Sequence, residues 1–101
     1  MQPTLSTKKI GIWGFGVSGK SIFAYLLRNN ACAVGILEKN IPLQPPASAT
    51  TVITFYPDTP GATQLFLQEH DIIIPSPGVD LRPYQKFAPK FLSELDLFYA
   101  T

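Results

Sequence analysis

Charged residues and cysteine are both scarce in this sequence. Only 15% of the 101 residues are charged, and the formal net charge is +1. A chain this close to neutral lacks the basic field with which proteins bind nucleic acid, and it lacks the high net charge of a disordered segment. Hydrophobic residues make up 46% of the chain, which suffices for a core. We therefore predict a single compact domain over residues 1–101, with no nucleic-acid partner.

The sequence also lacks the features of exported and membrane proteins. Cys32 is the only cysteine, so no disulfide can form within the chain, and its apolar neighbours predict a buried thiol in a reducing compartment. The segment 1–9 is polar and has no apolar signal-peptide core. No apolar run reaches the roughly 18 residues of a membrane-spanning helix. These observations predict a cytoplasmic protein without a membrane partner.

Short apolar runs alternate with segments of helical spacing along the chain. The runs predict strands at 10–13, 33–37, 51–55, 71–74 and, more briefly, 91–92. The spacing predicts helices at 20–29 and 62–69, the second with Leu65 and Phe66 inward, and a helical turn at 83–88. A stretch rich in proline, alanine and serine, 41–50, is predicted to be an irregular loop.

The predicted strands are apolar on both faces and are separated by helices. This pattern is typical of a parallel sheet that helices cover on both sides. The prediction is therefore an α/β fold, a Rossmann-like three-layer domain with a mostly parallel sheet of about five strands.

A glycine-rich turn follows the first predicted strand and opens the first helix. Its residues, Gly14 to Ser21, match both G-x-G-x-x-G, the dinucleotide-binding turn, and G-x-x-x-x-G-K-[ST], the Walker A loop. In both motifs glycine lets the backbone approach phosphate oxygens, and the free N–H groups and dipole of the helix favour a negative charge. A glycine turn at a strand–helix junction can also be purely structural.

Three observations favour the Rossmann-type motif over Walker A. Gly16 stands at the second glycine of the dinucleotide motif, which a phosphate loop does not require. Glu38 ends the second predicted strand, where an acidic residue meets a sugar or base in such folds, although a strand-end glutamate can also be merely solvated. Asp71 begins an apolar strand instead of ending one, so it does not suit the magnesium aspartate of an ATPase. Lys20 and Ser21 are then ordinary helix residues.

A rigid loop, Pro75-Ser76-Pro77-Gly78, follows the fourth predicted strand. The carboxyl ends of parallel strands share one edge of the sheet, so this loop is expected on the same edge as the glycine turn and the end of the second strand. Ser76 offers a hydroxyl and an N–H there, although the prolines and glycine can also serve only to terminate the strand.

Three motifs in this order resemble the Mur ligase family, and its MurD-type members most closely. The glycine turn, Gly14-Phe15-Gly16-Val17-Ser18-Gly19, is similar to the family's Gly-Leu-Gly-x-(Ser/Thr)-Gly. The fourth strand leads into Ser76-Pro77-Gly78-Val79, similar to Ser-Pro-Gly followed by Ile or Val. The segment Ser93-Glu94-Leu95-Asp96-Leu97-Phe98 is similar to Gly-(Asp/Glu)-Ile-Glu-Leu-Phe, with Ser93 and Asp96 as departures. The resemblance covers almost the whole chain after Lys9.

The resemblance implies an ATP-dependent ligase that joins D-glutamate to UDP-N-acetylmuramoyl-L-alanine in peptidoglycan biosynthesis. Family members are cytoplasmic, and their N-terminal domain binds the UDP end, their central domain carries the ATP loop and their last domain helps to bind the amino acid. This chain is similar to the N-terminal domain, so we expect it to be part of a longer protein. ATP, magnesium and D-glutamate are then bound by the other domains. This domain is expected to hold no cofactor, no metal and no catalytic residue.

The resemblance also implies which residues bind the substrate. The residues expected at the diphosphate and uridine are Gly14, Phe15, Gly16, Val17, Ser18 and Gly19. Those expected around the uracil are Glu38, Lys39 and Asn40, and those expected near the ribose and diphosphate are Ser76, Pro77 and Gly78. The family commonly has Asp, then Ser or Thr, then Arg at the uracil, so Glu38-Lys39-Asn40 is a departure there.

Two other functions fit part of these observations. An NAD(P)-binding domain of an oxidoreductase or redox-sensing regulator has the same glycine turn and acidic residue, although the second and third motifs disfavour it. A non-catalytic regulatory domain that senses a nucleotide fits the short chain. His70 has no evident partner in the sequence and is expected near a helix end, so it is not a convincing catalyst.

Overall fold

The computed structural model describes residues 7–43, 46, 48, 50–93 and 96–97. In chain order its elements are β1 (Lys9–Trp13), α1 (Val17–Arg28), β2 (Ala33–Leu37), β3 (Val52–Tyr56), α2 (Pro60–Glu69), β4 (Ile72–Pro75) and a 3₁₀ segment (Arg82–Lys90). Every strand and helix predicted from the sequence, apart from the fifth strand, is present within a few residues of its expected bounds. The described residues of the 41–50 stretch contain no regular structure, as predicted.

The four strands form one parallel sheet in the order β3-β2-β1-β4. The chain moves outward from β1 through β2 to β3, and then returns to place β4 on the other side of β1. The strand order therefore reverses between β1 and β4. In open α/β sheets this reversal creates a crevice at the carboxyl ends of the strands, because the two neighbouring loops leave toward opposite faces.

Each face of the sheet carries its own apolar cluster, because successive side chains of a strand point to opposite faces. The cluster on the α1 face is built from buried residues of the helix and strands, including Ile12, Ile22, Leu26, Val34, Ile36 and Ile74. The cluster on the α2 face includes Trp13, Leu37, Phe66, Leu67 and Ile73, with aromatic residues of the 3₁₀ segment packed against it. The domain thus has three layers, as the sequence predicts.

Two glycines inside strands allow α2 to approach the sheet closely. A Cβ atom on Gly11 would lie 2.7 Å from the ring of Phe66, and one on Gly35 would overlap the imidazole of His70. Phe66 and His70 both belong to the end of α2. Glycine in a strand interior has no side chain to pack, and here the space is filled by rings from the helix.

The prediction of about five strands is corrected to four. Phe91 forms only an isolated parallel bridge with Ile73, and Leu92 donates a backbone hydrogen bond to the Ile73 carbonyl. The extended stretch is short because the 3₁₀ segment runs up to Lys90 and the Leu97 N–H donates back to the carbonyl of Ser93. There is no room between these two turns for a longer ladder.

Three expectations about burial are wrong. Cys32 is exposed, because it lies on the short surface connection between the end of α1 and β2. Leu65 is 48% exposed, and Leu67 is buried in its place, since α2 turns Phe66 and Leu67 toward the sheet. β3 is not apolar and buried on both faces, because it is the edge strand and its Val52 and Thr54 face solvent.

The closing motif predicted at 93–98 is only partly described, since Glu94, Leu95 and Phe98 lie outside the described residues. Leu97 is fully buried in the cluster on the α1 face, and the N–H of Asp96 donates to the Ser93 hydroxyl. In the described part of the chain no helix is long and apolar enough to cross a membrane.

Candidate functional site

The glycine turn, the end of β2 and the exit of β4 meet at the carboxyl edge of the sheet. Backbone hydrogen bonds hold the three segments together. The Gly14 N–H donates to the Leu37 carbonyl at 2.8 Å, and the Ser76 N–H donates to the Trp13 carbonyl at 2.9 Å. Because all strands are parallel, the three segments predicted to form the site share one edge. The sequence prediction that they lie together is confirmed.

Each glycine of the turn has a different steric environment. Gly14 has a φ of 100°, and a Cβ there would overlap the Ser76 hydroxyl. A Cβ on Gly19 would overlap the carbonyl oxygen of Gly14, so this glycine lets α1 pack against the end of β1. A Cβ on Gly16 would meet no described atom within 4 Å. The fold therefore requires glycine at the first and third positions but leaves open space at the second.

The N-terminus of α1 points into this open space. Gly16 is the N-cap, and the first helical hydrogen bond runs from the Lys20 N–H to the Gly16 carbonyl at 2.9 Å. The N–H groups of Val17, Ser18 and Gly19 precede that bond, so the helix supplies no carbonyl for them. No side-chain cap is found at this end in the described residues, and the first turn has no acidic residue. Such a helix end attracts anions.

Glu38 connects the end of β2 to the glycine turn. Its carboxylate accepts hydrogen bonds from the Phe15 N–H at 2.7 Å and from the Asn40 N–H at 3.2 Å. The Phe15 amide is thus already paired, and it is not free to bind a diphosphate in this structure. The remaining lone pairs of the carboxylate can still accept from ligand hydroxyl or N–H groups.

The side chain of Phe15 is partly buried and packs against the cluster on the α1 face. Its ring makes edge-to-face contacts with Phe23 and Phe55, at centroid distances of 5.6 and 5.8 Å. Lys20 reaches over the same ring, with its ammonium nitrogen 5.9 Å from the centroid. Lys39 and Asn40 are exposed beside the end of β2.

The loop after β4 is tied to β1 by Ser76. Its hydroxyl donates to the Trp13 carbonyl at 2.6 Å, and its own carbonyl accepts from the Val79 N–H at 3.1 Å. The single hydroxyl proton is therefore in use, so toward a ligand Ser76 acts as an acceptor. Pro77 and Gly78 are exposed at the tip of the loop.

A pocket of about 500 Å³ lies at the point where the strand order reverses. Of the residues predicted from the sequence, Ser18, Gly19, Ser76 and Pro77 line it, whereas Glu38, Lys39 and Asn40 do not. The predicted site residues are thus divided between two sides of the glycine turn. The pocket is on the β4 side, and the acidic end of β2 is on the other.

Most of the pocket wall consists of residues that the sequence analysis did not assign to the site. They are apolar and come from several elements: Ile12, Ile22, Ile74, Val79, Leu81, Phe91 and Leu92. In the sequence these residues look like ordinary core positions. Only the topology shows that some of them face a pocket beside the glycine turn.

A second cluster of polar side chains lies away from this edge, around His70. The imidazole Nδ1 is 2.7 Å from the Phe66 carbonyl, so His70 has a partner that the sequence did not show. His70 lies at the end of α2, as predicted, and is its C-cap residue. Burial is the main cause that lowers the pKa of His70. Burial, together with the hydrogen bond that its hydroxyl donates to Glu69 at 2.9 Å, raises the pKa of Tyr56 to about 12. The hydrogen bond between Tyr56 and Glu69 connects β3 to the end of α2.

Within the described ranges, no group of three or more His, Cys, Asp or Glu residues is arranged to hold a metal ion. In comparisons of the sequence with protein-family models and with curated proteins, no family model and no curated protein matches the chain.

Proposed function

We propose that this chain is the UDP-substrate-binding domain of a MurD-type ligase, which adds D-glutamate to UDP-N-acetylmuramoyl-L-alanine. The observation that carries the proposal is the open space at Gly16. Packing explains the glycines at positions 14 and 19, but no described atom explains the one at position 16. A ligand that must approach the backbone there, at the N-terminus of α1, does explain it.

Two further features of the edge support a nucleoside diphosphate as that ligand. The amides of Val17, Ser18 and Gly19 suit the phosphate oxygens, because they precede the first helical hydrogen bond. Glu38 lies on the opposite side of the turn, where its carboxylate can accept from the hydroxyls of a ribose or the N–H of a uracil. The diphosphate would bind on the Gly16 side, since a carboxylate beside it would repel it.

In this proposal the domain positions the substrate and supplies no catalytic group. Holding the nucleotide end of the substrate lets its binding energy orient a distant carboxylate for phosphorylation and attack by an amine. ATP and magnesium would be bound by other domains of the same cytoplasmic enzyme. The reacting groups would lie outside this domain, so the chain alone is expected to be inactive as a ligase.

Ligand-dependent melting tests the proposal. At a ligand concentration about ten times the Kd, UDP or UDP-N-acetylmuramoyl-L-alanine should raise the Tm by about 5–10 °C, because a ligand that binds only the folded state stabilises it. NADH at the same concentration should leave the Tm unchanged. Stabilisation by NADH with no effect of either uridine nucleotide would reverse this assignment.

One observation favours a second candidate, an NAD(P)-binding domain. The Glu38 carboxylate stands at the end of β2 within hydrogen-bond distance of the glycine turn, where dinucleotide-binding domains place the acidic residue that binds the adenosine ribose. The same melting series separates the two candidates, since it contains both nucleotides. A regulatory domain that senses a nucleotide remains compatible with either ligand.

A further inference from the structure

We propose that the outer edge of β3 pairs with the same edge of a second copy of this chain. The two β3 strands run antiparallel about a two-fold axis at Thr54, so that the two sheets become one. The inference goes beyond the proposed function and does not depend on it, because β3 is the lateral edge of the sheet, whereas the glycine turn lies at the carboxyl ends of the strands.

The backbone groups of β3 are divided between its two sides. The N–H of Val52 and the carbonyl of Tyr56 form hydrogen bonds on the β2 side. Alternate residues of a parallel ladder bond to the same neighbour, so Thr54 also faces β2, and the N–H and carbonyl groups of Ile53 and Phe55 point away from the sheet. Within the described residues, no hydrogen bond reaches these outward groups. Such an edge is a template for another strand.

The composition of β3 does nothing to prevent this pairing. Exposed edges are usually protected by lysine, proline or a bulge, whereas residues 51–56, Thr-Val-Ile-Thr-Phe-Tyr, are all β-branched or aromatic and uncharged. Val52 is 67% exposed on this edge. The lack of charge favours a second copy as the partner, because a two-fold axis brings the edge against itself, and a charged edge would repel its own copy.

The outward groups also determine the register of the pairing. In an antiparallel pair, two opposite residues exchange both of their hydrogen bonds. Pairing Ile53 with Phe55 of the second copy, and the reverse, uses all the outward groups of both residues and places Thr54 on the axis. The two neighbouring registers are worse. One places Phe55 opposite Thr51, whose N–H already donates to a serine hydroxyl at 3.2 Å, and the other places Ile53 opposite Pro57, which has no N–H.

This register matches apolar side chains on both faces of the joined sheet. Val52 would lie opposite Tyr56 of the second copy on the α2 face, and Ile53 opposite Phe55 on the α1 face. Pairs of aromatic and β-branched residues stabilise antiparallel strands. Val52 also lines a groove of about 410 Å³ with Leu65, which is 48% exposed, so the second copy would cover apolar surface that water now contacts.

Sedimentation equilibrium and the single cysteine test the proposal on the unaltered chain. We expect a species of twice the 11.1 kDa mass of the chain at high protein concentration. The exposed Cys32 takes a spin label, and it lies on β2 at the level of Thr51. From strand spacings of about 4.8 Å and about 3.3 Å per residue, the two Cys32 α-carbons should be about 25 Å apart by dipolar EPR. A chain that stays monomeric at millimolar concentration, or a distance beyond about twice this value, would overturn the inference.

A pair of opposite charges at Thr54 tests the position of the axis. Thr54→Lys and Thr54→Glu each place like charges against each other, so each alone should raise the dimer Kd at least about tenfold. An equimolar mixture of the two should restore a Kd within about threefold of the original, because the charges then attract. Gln68→Lys adds the same charge at an exposed position of α2 and should leave the Kd unchanged.

The mixture also separates this pairing from other modes of association. Thr54 is exposed, so both variants should keep the original circular dichroism spectrum, and if either unfolds, the Cys32 distance still decides. Dimers that neither variant weakens, or a mixture no tighter than its components, would contradict pairing at Thr54. UDP binding by the monomer or dimer is unaffected by either result, so a failure here leaves the proposed function standing.

Discussion

Gly14, Gly16 and Gly19 lie in one turn, but the structure gives them different reasons to be glycine. Gly14 has a positive φ and no space for a Cβ, and Gly19 lies against the backbone of Gly14. Gly16 has an ordinary extended conformation and open space around its α-carbon. Substitution should therefore affect folding at Gly14 and ligand binding at Gly16, which separates the structural role of the turn from its proposed function.

Gly16→Ser should leave the fold intact, because serine is a favoured N-cap and no described atom obstructs its Cβ. The affinity for UDP should fall at least about tenfold, which corresponds to about 1.4 kcal/mol, because the side chain occupies the space of the phosphate. Titration calorimetry and thermal melting measure the two effects. Gly61→Ser is the matched control, since Gly61 also begins a helix and has equally open surroundings.

Gly14→Ala should lower the stability of the fold, in contrast to Gly16→Ser. A side chain at a φ of 100° is strained and would overlap Ser76, so we expect a loss of about 1–3 kcal/mol in the free energy of unfolding. Urea unfolding measures this loss. A Gly14→Ala variant as stable as the original chain would show that the turn is looser than described.

His70 should make the stability of the domain depend on pH. Its pKa is lowered from 6.5, mainly by burial and further by Lys9 and Lys90, although the Phe66 carbonyl and Glu69 act in the opposite direction. The folded state thus favours neutral imidazole. The stabilisation is complete above the unfolded pKa of 6.5 and is lost as the pH falls below it toward the folded pKa, by no more than about 1.4 kcal/mol per pH unit.

Urea unfolding at pH 7.5 and 5.5 measures this dependence. The original chain should unfold at a lower urea concentration at pH 5.5. In His70→Gln the difference in the urea concentration of unfolding between pH 7.5 and pH 5.5 should be smaller. No other histidine contributes to this difference, because the chain has a single one. A pH dependence that is the same in both proteins would assign it to other groups.

At the scale of elements, the local signals predicted where helices end better than where they begin. The first helix was predicted to end at residue 29, one residue beyond the observed end at Arg28, and Asn30 has a φ of 57°, a left-handed conformation that is common where helices end. The start of α1 was predicted three residues late, at Lys20 instead of Val17, because its N-cap is a glycine without a capping side chain. At the start of α2, Thr59 is an N-cap whose hydroxyl accepts a hydrogen bond from the Ala62 N–H, and Pro60 follows it, a combination that is typical of a helix start.

The 3₁₀ segment stabilises the end of α2 through Lys90. The Lys90 ammonium donates to the carbonyls of Leu67 and Gln68, at 2.9 and 3.2 Å, in the last turn of that helix. Lys90→Met keeps most of the apolar stem but removes these bonds, and should lower the free energy of unfolding by about 1 kcal/mol. Lys86→Met, at an exposed position in the same segment, should change it by less than about 0.5 kcal/mol. If urea unfolding gave the same change in free energy for both variants, the hydrogen bonds of Lys90 would not stabilise the fold.

At the scale of the whole molecule, the parallel sheet determines how much of the site could be predicted. Alternating strands and helices predict a parallel sheet, and a parallel sheet places Gly14, Glu38 and Ser76 on one edge. The pocket could not be predicted in this way. Its apolar wall joins the α1 face to the loop after β4, and the sequence shows Ile22 and Leu81 only as hydrophobic residues far apart in the chain. The hydrogen bond between the Phe15 amide and the Glu38 carboxylate could not be predicted either, because the spacing of residues in the sequence does not give the distance between these two groups.

The central claim is that the amides at the start of α1 bind the diphosphate of a uridine nucleotide. An NMR titration of the ¹⁵N-labelled chain with UDP tests it most directly, because each backbone amide reports separately. We predict the largest shifts at Gly16, Val17, Ser18 and Gly19, smaller shifts at the end of β2 and the exit of β4, and none at Thr54 on β3 or at His70. Saturable shifts confined to Thr54 and His70, or no shifts at millimolar UDP, would contradict the account.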